Sequence, residues 1–121
     1  MAGKLFYQEK TGNLFNPLAM KNDHYRRVRG GTSQIIEITC AQCGAVVLTY
    51  QKDGIGTLAR CYLNRILSPA KYEKLQREAN DVKGLSCLQC DCGNMLGIPM
   101  VHSDGRLAFR LVRGRFKRKK V

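Results

Sequence analysis

The residues best able to do chemistry are two cysteine clusters, Cys40-Ala41-Gln42-Cys43-Gly44 and Cys87-Leu88-Gln89-Cys90-Asp91-Cys92-Gly93. Thiolates close in sequence converge on one ion when the backbone between them folds into a tight turn. Two such turns supply the four ligands of a tetrahedral Zn²⁺ site, with Zn–S distances of about 2.3 Å. Gly44 suits the first turn, because glycine tolerates positive φ and leaves backbone N–H groups free to approach sulfur. The second cluster offers three cysteines for two places. Cys87 and Cys90 repeat the spacing of Cys40 and Cys43 and are preferred on that ground. Cys92, followed by Gly as Cys43 is, is the alternative to Cys87. The expected site is one structural zinc on Cys40, Cys43, Cys90 and Cys87, with Cys92 in place of Cys87 in the second version.

The elements that must position these clusters can be read on either side of them. Gln34–Thr39 is rich in β-branched residues and reads as a strand delivering Cys40. Ala45–Gln51 is its expected antiparallel partner, so that the first cysteine turn is a hairpin tip. Leu58, Tyr62 and Ile66 then fall four apart, with Cys61 on the same side and Thr57 as N-cap. That pattern predicts a helix ending near Leu67, because Pro69 disfavours a helical residue before it. Ser68 and Pro69 open a second expected helix, with Tyr72, Leu75, Ala79 and Val82 on one face and Gly84 past its end. Cys61 is read as a buried small hydrophobe. After the second cluster, Met95–His102 and Arg106–Arg113 flank Ser103-Asp104-Gly105, a strong hairpin signal. Leu107, Phe109 and Leu111 share one face of the last strand, with Arg110 and Val112 opposite.

The domain organisation follows. Residues 1–33 form a basic N-terminal extension, either docked or flexible, with loop signals at Gly12-Asn13, Asn16-Pro17 and Gly30-Gly31. Its Phe6, Tyr7, Leu14, Phe15, Leu18 and Met20 could dock on a surface. Residues 34–113 form the metal-binding domain, and residues 114–121 a basic C-terminal tail. The fold class is α+β, a small antiparallel core with a helical insertion between the two cysteine clusters.

Charge points to the partner. The chain of 121 residues carries a net charge of +12, and residues 106–121 hold eight basic groups and no acid. Charge concentrated in this way is the footprint of a polyanion binder. Arg106, Arg110, Arg113, Arg115, Lys117, Arg118, Lys119 and Lys120 are the expected phosphate contacts, since guanidinium forks match phosphate oxygens. Tyr25, within His24-Tyr25-Arg26-Arg27-Val28-Arg29, could stack on a base. The competing reading is an edge strand protected by its charge. His24 and His102 lack a clear acid partner and read as surface residues. There is no Ser/His/Asp-like set, no HExxH and no phosphate-binding glycine loop, so no catalytic site is expected. No apolar run approaches the ~20 residues of a membrane helix, and Met1–Lys10 lacks the apolar stretch of a secretory signal. An intracellular, reducing compartment is therefore expected, in which cysteines bind metal rather than form disulfides.

Cys40-Ala41-Gln42-Cys43-Gly44 resembles the knuckle of zinc-ribbon proteins, which occur in transcription, ribosomal and nucleic-acid-processing components. Cys92-Gly93-Asn94-Met95-Leu96-Gly97 is similar to the Cys-x₃-Leu-Gly pattern of the β-tent zinc fold of Yippee and Mis18 proteins. Both resemblances imply a zinc-ribbon-like or tent-like zinc module and no activity by themselves. The leading expectation is a non-enzymatic zinc-stabilised module binding RNA or DNA, alone or within a nucleoprotein assembly. The alternatives are an adaptor for an acidic protein partner, and a redox or rubredoxin-like iron protein, since thiolate ligands alone do not separate iron from zinc.

Overall fold

The computed structural model describes Lys21, residues 23–28 and residues 31–121. The extension's apolar residues from Phe6 to Met20, its first two loop signals, Arg29 and Gly30 lie outside that range. The chain order is α1 (His24–Val28), β1 (Ser33–Cys40), β2 (Val46–Asp53), β3 (Arg60–Tyr62), a 3-10 turn (Leu63–Arg65), β4 (Ile66–Ser68), α2 (Ala70–Glu73), α3 (Leu75–Glu78), a 3-10 turn (Val82–Gly84), β5 (Leu88–Gln89), β6 (Met95–Val101), β7 (Leu107–Leu111) and β8 (Phe116–Lys120). The fold is α+β and mostly antiparallel. One four-stranded sheet, A, has the order β4-β2-β1-β8, and a second, B, has the order β3-β7-β6-β5.

Each cysteine cluster sits at the tip of a hairpin. β1 pairs antiparallel with β2 from Ser33–Asp53 to Thr39–Val46, with a register shift beside the first cluster. β5 pairs with β6 across the second cluster, again with a register shift. The alternation along β1 turns Ile36, Ile38 and Cys40 inward, and all three are buried. Leu48 and Tyr50 of β2 join them, and sheet B contributes Cys61, Leu88, Leu96, Phe109 and Leu111. Burying a large apolar side chain contributes about 1.5–3 kcal/mol, so this shared interior is the main force holding the layers together. The hairpin expected around Asp104-Gly105 is present, with β6 and β7 paired from Gly97–Leu111 to Val101–Leu107. Gly105 takes φ +91°, which a side-chain-bearing residue rarely adopts.

Three expectations are corrected. The helix expected over Leu58–Leu67 is instead β3, a 3-10 turn and β4. The buried positions are Cys61 in β3, Leu63 and Arg65 in the turn and Ile66 in β4, which do not fall on one face of a helix. Pairing of Cys61 with Phe109 in β7 outweighs the four-residue spacing that suggested a helix. The second helix breaks at Lys74 into α2 and α3. Tyr72, Leu75 and Ala79 do pack against the core, whereas Val82 belongs to the following 3-10 turn. Finally, the basic segment after Gly114 is no tail, since β8 pairs with β1 from Cys40–Phe116 to Ile36–Lys120 and closes sheet A. Phe116 packs against the core and anchors that strand.

The described part of the extension is docked through a buried cation. Arg65 is 1% exposed and donates from Nε to Asp53 at 2.7 Å and from Nη1 to Asp23 at 3.0 Å. The side chain of Gln51 accepts from the Lys21 amide at 2.7 Å and donates to its carbonyl at 2.8 Å. Tyr25 then lies over the Arg106 guanidinium at 3.7 Å, and Tyr62 lies over the same group at 3.8 Å. Nothing in the residue pattern singled out Arg65, because an arginine within an apolar stretch reads as a surface interruption.

Candidate metal centre

The four sulfurs of Cys40, Cys43, Cys90 and Cys92 all lie within 4.8 Å of one another. Cys40 and Cys92 are 3.6 Å apart and Cys43 and Cys90 are 3.5 Å apart. A tetrahedron with Zn–S bonds of about 2.3 Å has edges of about 3.8 Å, so four thiolates in this arrangement fit around one such ion. They are too far apart for S–S bonds of about 2.05 Å, and all six cysteines are free.

The two turns are built alike, with one residue fewer in the second. In the first, the Cys40 amide donates to the Ala45 carbonyl and the Cys40 carbonyl accepts from Gly44, both at 2.9 Å. In the second, the Cys90 amide donates to the Asn94 carbonyl at 2.9 Å and the Cys90 carbonyl accepts from Gly93 at 2.8 Å. Gly44 and Gly93 close the turns with φ of +79° and +98°. Cys40 and Cys90 are therefore equivalent first ligands, and Cys43 and Cys92 equivalent second ones.

This equivalence corrects the preferred pairing of Cys87 with Cys90. Leu88 and Cys90 both face inward, at 0% and 8% exposure. With the side-chain period of two, Cys87 and Gln89 must point outward, and both are exposed. Cys92 takes the fourth position, as the alternative version of the site had it. The Cys-x-Cys spacing works because a Gly follows it.

Asn94 went unnoticed in the sequence reading and is part of this centre. Its side-chain amide donates to Cys40 Sγ at 3.3 Å and to the Arg115 carbonyl at 2.8 Å, and Asn94 is only 8% exposed. Backbone amides of Gln42 and Cys43 approach the same sulfur at 3.3 and 3.4 Å. Burial alone raises the Cys40 thiol, but these hydrogen bonds outweigh it and hold its pKa down to about 6. Cys92 accepts a lowering backbone hydrogen bond from Asn94, yet burial and its three thiol neighbours push it up to about 12. The Cys40 thiolate is thus readily formed, while Cys92 beside it resists a second negative charge. A divalent cation inverts that balance by pairing with all four. The set matches a closed metal centre of thiolate ligands, and its only signal beyond the cysteines was the Gly after each turn.

The eight basic candidates divide. Arg110, Arg113, Arg115, Lys117, Arg118, Lys119 and Lys120 are exposed. Arg106 is taken up within the molecule instead, between two tyrosine rings and 2.9 Å from Asp104. The same sandwich uses Tyr25, which is therefore not a free stacking surface for a base. His102 approaches Asp104 at 3.0 Å and meets Tyr62 edge-on. Arg118 donates to the Gly56 carbonyl at 3.1 Å, and the Arg115 carbonyl accepts from Ala41 at 3.1 Å.

Comparison of the chain with protein-family models, with curated proteins and with solved structures returns no match. Among the described residues no helix is long and apolar enough to cross a membrane.

Proposed function

We propose that this chain is a non-enzymatic module of the reducing cell interior, held by one structural zinc ion and binding nucleic acid, RNA or DNA, through a basic face. Cys40, Cys43, Cys90 and Cys92 would hold the ion, and all four positions of a tetrahedral ion would be filled by protein. The ion's chemistry would be limited to cross-linking the β1–β2 and β5–β6 hairpins, because a site without an open position does not activate water. Zinc-ribbon-like knuckles, one at each hairpin tip, are the closest description of the turns.

The observation that carries the nucleic-acid reading is the make-up of β8. Lys117, Arg118, Lys119 and Lys120 are all exposed on a strand whose partner, β1, is rigidly placed in sheet A. Arg110, Arg113 and Arg115 extend the same charge along the chain that leads into it. Charge on an edge strand discourages strand association, and four cations in succession also offer a row of phosphate contacts. Phosphate contacts release counterions, so binding should weaken steeply with salt.

The test is titration of a mixed-sequence oligonucleotide into the metal-loaded protein across a salt series. A steep negative dependence of log affinity on log salt, abolished by neutralising Lys117–Lys120, is the expected result. Absence of binding at low salt, or binding indifferent to salt, would overturn the reading. Capture of an acidic protein that a short oligonucleotide does not displace would favour an adaptor instead.

A further inference from the structure

The outer face of sheet B carries a pair of arginines directly opposite each other. Arg60 of β3 is the register partner of Arg110 of β7, and both are exposed. Directly opposed residues in an antiparallel pair have Cβ atoms about 4.5–5.5 Å apart, and like charges there repel. Neither arginine makes an ion pair with a described residue. On the other side of Arg110 the register partner is Ile98, and the next row across the three strands is Tyr62, Ala108 and Met100.

Among the described residues no ion pair relieves the repulsion. β3, β5, β6 and β7 contain no acidic residue, and neither does the 54–59 loop that leads into Arg60. The nearest acid in sequence to Arg110 is Asp104, already paired with Arg106 and His102. The same loop joins this face to the basic edge of sheet A. Gly56 accepts from Arg118, and the Ala59 carbonyl, next to Arg60, accepts from the Leu111 amide, next to Arg110. Two exposed arginines opposite each other on adjacent strands, with no ion pair to a described acid, can bring their guanidinium forks to one tetrahedral oxyanion. A phosphate between them would convert a repulsion into two charge-assisted contacts, each able to be bidentate.

We infer that Arg60 and Arg110 form a clamp for a backbone phosphodiester, continuous through the 54–59 loop with the basic strand β8. This rests on the nucleic-acid reading above and adds to it a defined contact point on a different sheet. Arg60 lay outside the expected phosphate contacts because it stands in sequence apart from the other basic residues, at the start of β3. Only the register brings it to Arg110.

The experiment uses the full chain with its metal. An RNA strand of about 12 nucleotides and a DNA duplex of similar length are titrated over a salt series, against wild type, Arg60→Gln/Arg110→Gln and the control Arg77→Gln/Lys83→Gln. The control removes two exposed charges from elsewhere on the surface. The clamp variant should bind at least about tenfold more weakly to one or both probes, and its salt slope should fall by about 1.4–1.8, the loss of two phosphate contacts. The control should change neither by a comparable amount. Free of ligand, Arg110→Gln alone should melt at the same temperature as wild type or higher, since it removes a like-charge pair. The double variant, melted in the same way, should also keep the wild-type temperature or exceed it, which shows that its weaker binding is not unfolding. If wild type binds and the clamp variant matches it in affinity and slope, the clamp is wrong while the basic-face reading stands. If wild type fails to bind either probe at low salt, the reading itself fails and the clamp falls with it.

Discussion

Cys92 Sγ lies 3.6 Å from Cys40 Sγ, across the gap between the two hairpins. That contact joins a candidate ligand on β1 to one in the β5–β6 turn, so a metal ion held there would tie sheet A to sheet B. Replacing Cys92 with Ser should therefore abolish metal retention and cooperative folding, whereas Cys87→Ser should leave both unchanged. A structural zinc supplies about 10–16 kcal/mol of apparent binding free energy in small zinc domains, as much as or more than the usual stability of a domain. Metal content and a denaturation curve of the two variants separate these outcomes.

Arg65 is the second point at which the fold is vulnerable. Its side chain is 1% exposed, between Asp53 at 9% and Asp23 at 38%. Removing one partner of a buried pair leaves an uncompensated charge and costs about 3–5 kcal/mol. Arg65→Ala should lower stability by about that amount in chemical denaturation. Arg77→Ala, which breaks an exposed pair with Glu73, should leave it nearly unchanged, because solvent-exposed ion pairs contribute little.

Deleting residues 114–121 tests whether the basic C-terminus is part of the fold. A solubilising tail could be removed without effect. Here the deletion strips β8 from β1, loses the partly buried Phe116 and removes the Arg115 carbonyl that accepts from Ala41 and Asn94. A loss of several kcal/mol in stability is expected, with increased aggregation through the newly exposed edge of β1. Thermal melting and light scattering measure both effects.

Asp104 supplies a pH dependence. Burial by itself raises its pKa, but hydrogen bonds from the Arg106 amide, His102 and the Arg106 side chain outweigh it and lower the pKa to about 2. A carboxyl whose pKa is lower folded than unfolded stabilises the fold above its unfolded value, near 3.8, and loses that contribution as pH falls through about 2. Solvent screening of this partly exposed group leaves on the order of 1 kcal/mol. Asp104→Asn should therefore reduce stability at neutral pH and approach wild type as pH falls through and below about 2, as read from denaturation midpoints against pH.

The sequence was most legible where a short-range signal and the tertiary environment agree. β-branched residues before Cys40, the run expected to pair with it after Ala45 and Asp104-Gly105 between two extended runs placed β1, β2, β6 and β7 to within a residue or two of their ends. Legibility failed where long-range pairing overrides local pattern. Cys61 finds Phe109, and Phe116 finds Cys40, across separations that no local window contains. The choice between Cys87 and Cys92 failed for a different reason. Spacing alone favoured Cys87, but the inward direction of Leu88 fixes Cys90 inward and Cys87 outward, and that direction is set by the core. Arg65 and Arg60 were missed because a cation's meaning lies in what faces it, aspartates for the one and another arginine for the other.

The most direct test of the metal-centred account is native mass spectrometry of the chain purified without added metal, repeated after a strong chelator and followed by circular dichroism. The account predicts one zinc per chain, released by the chelator together with loss of the sheet signal. A metal-free chain that keeps its fold in chelator would contradict it.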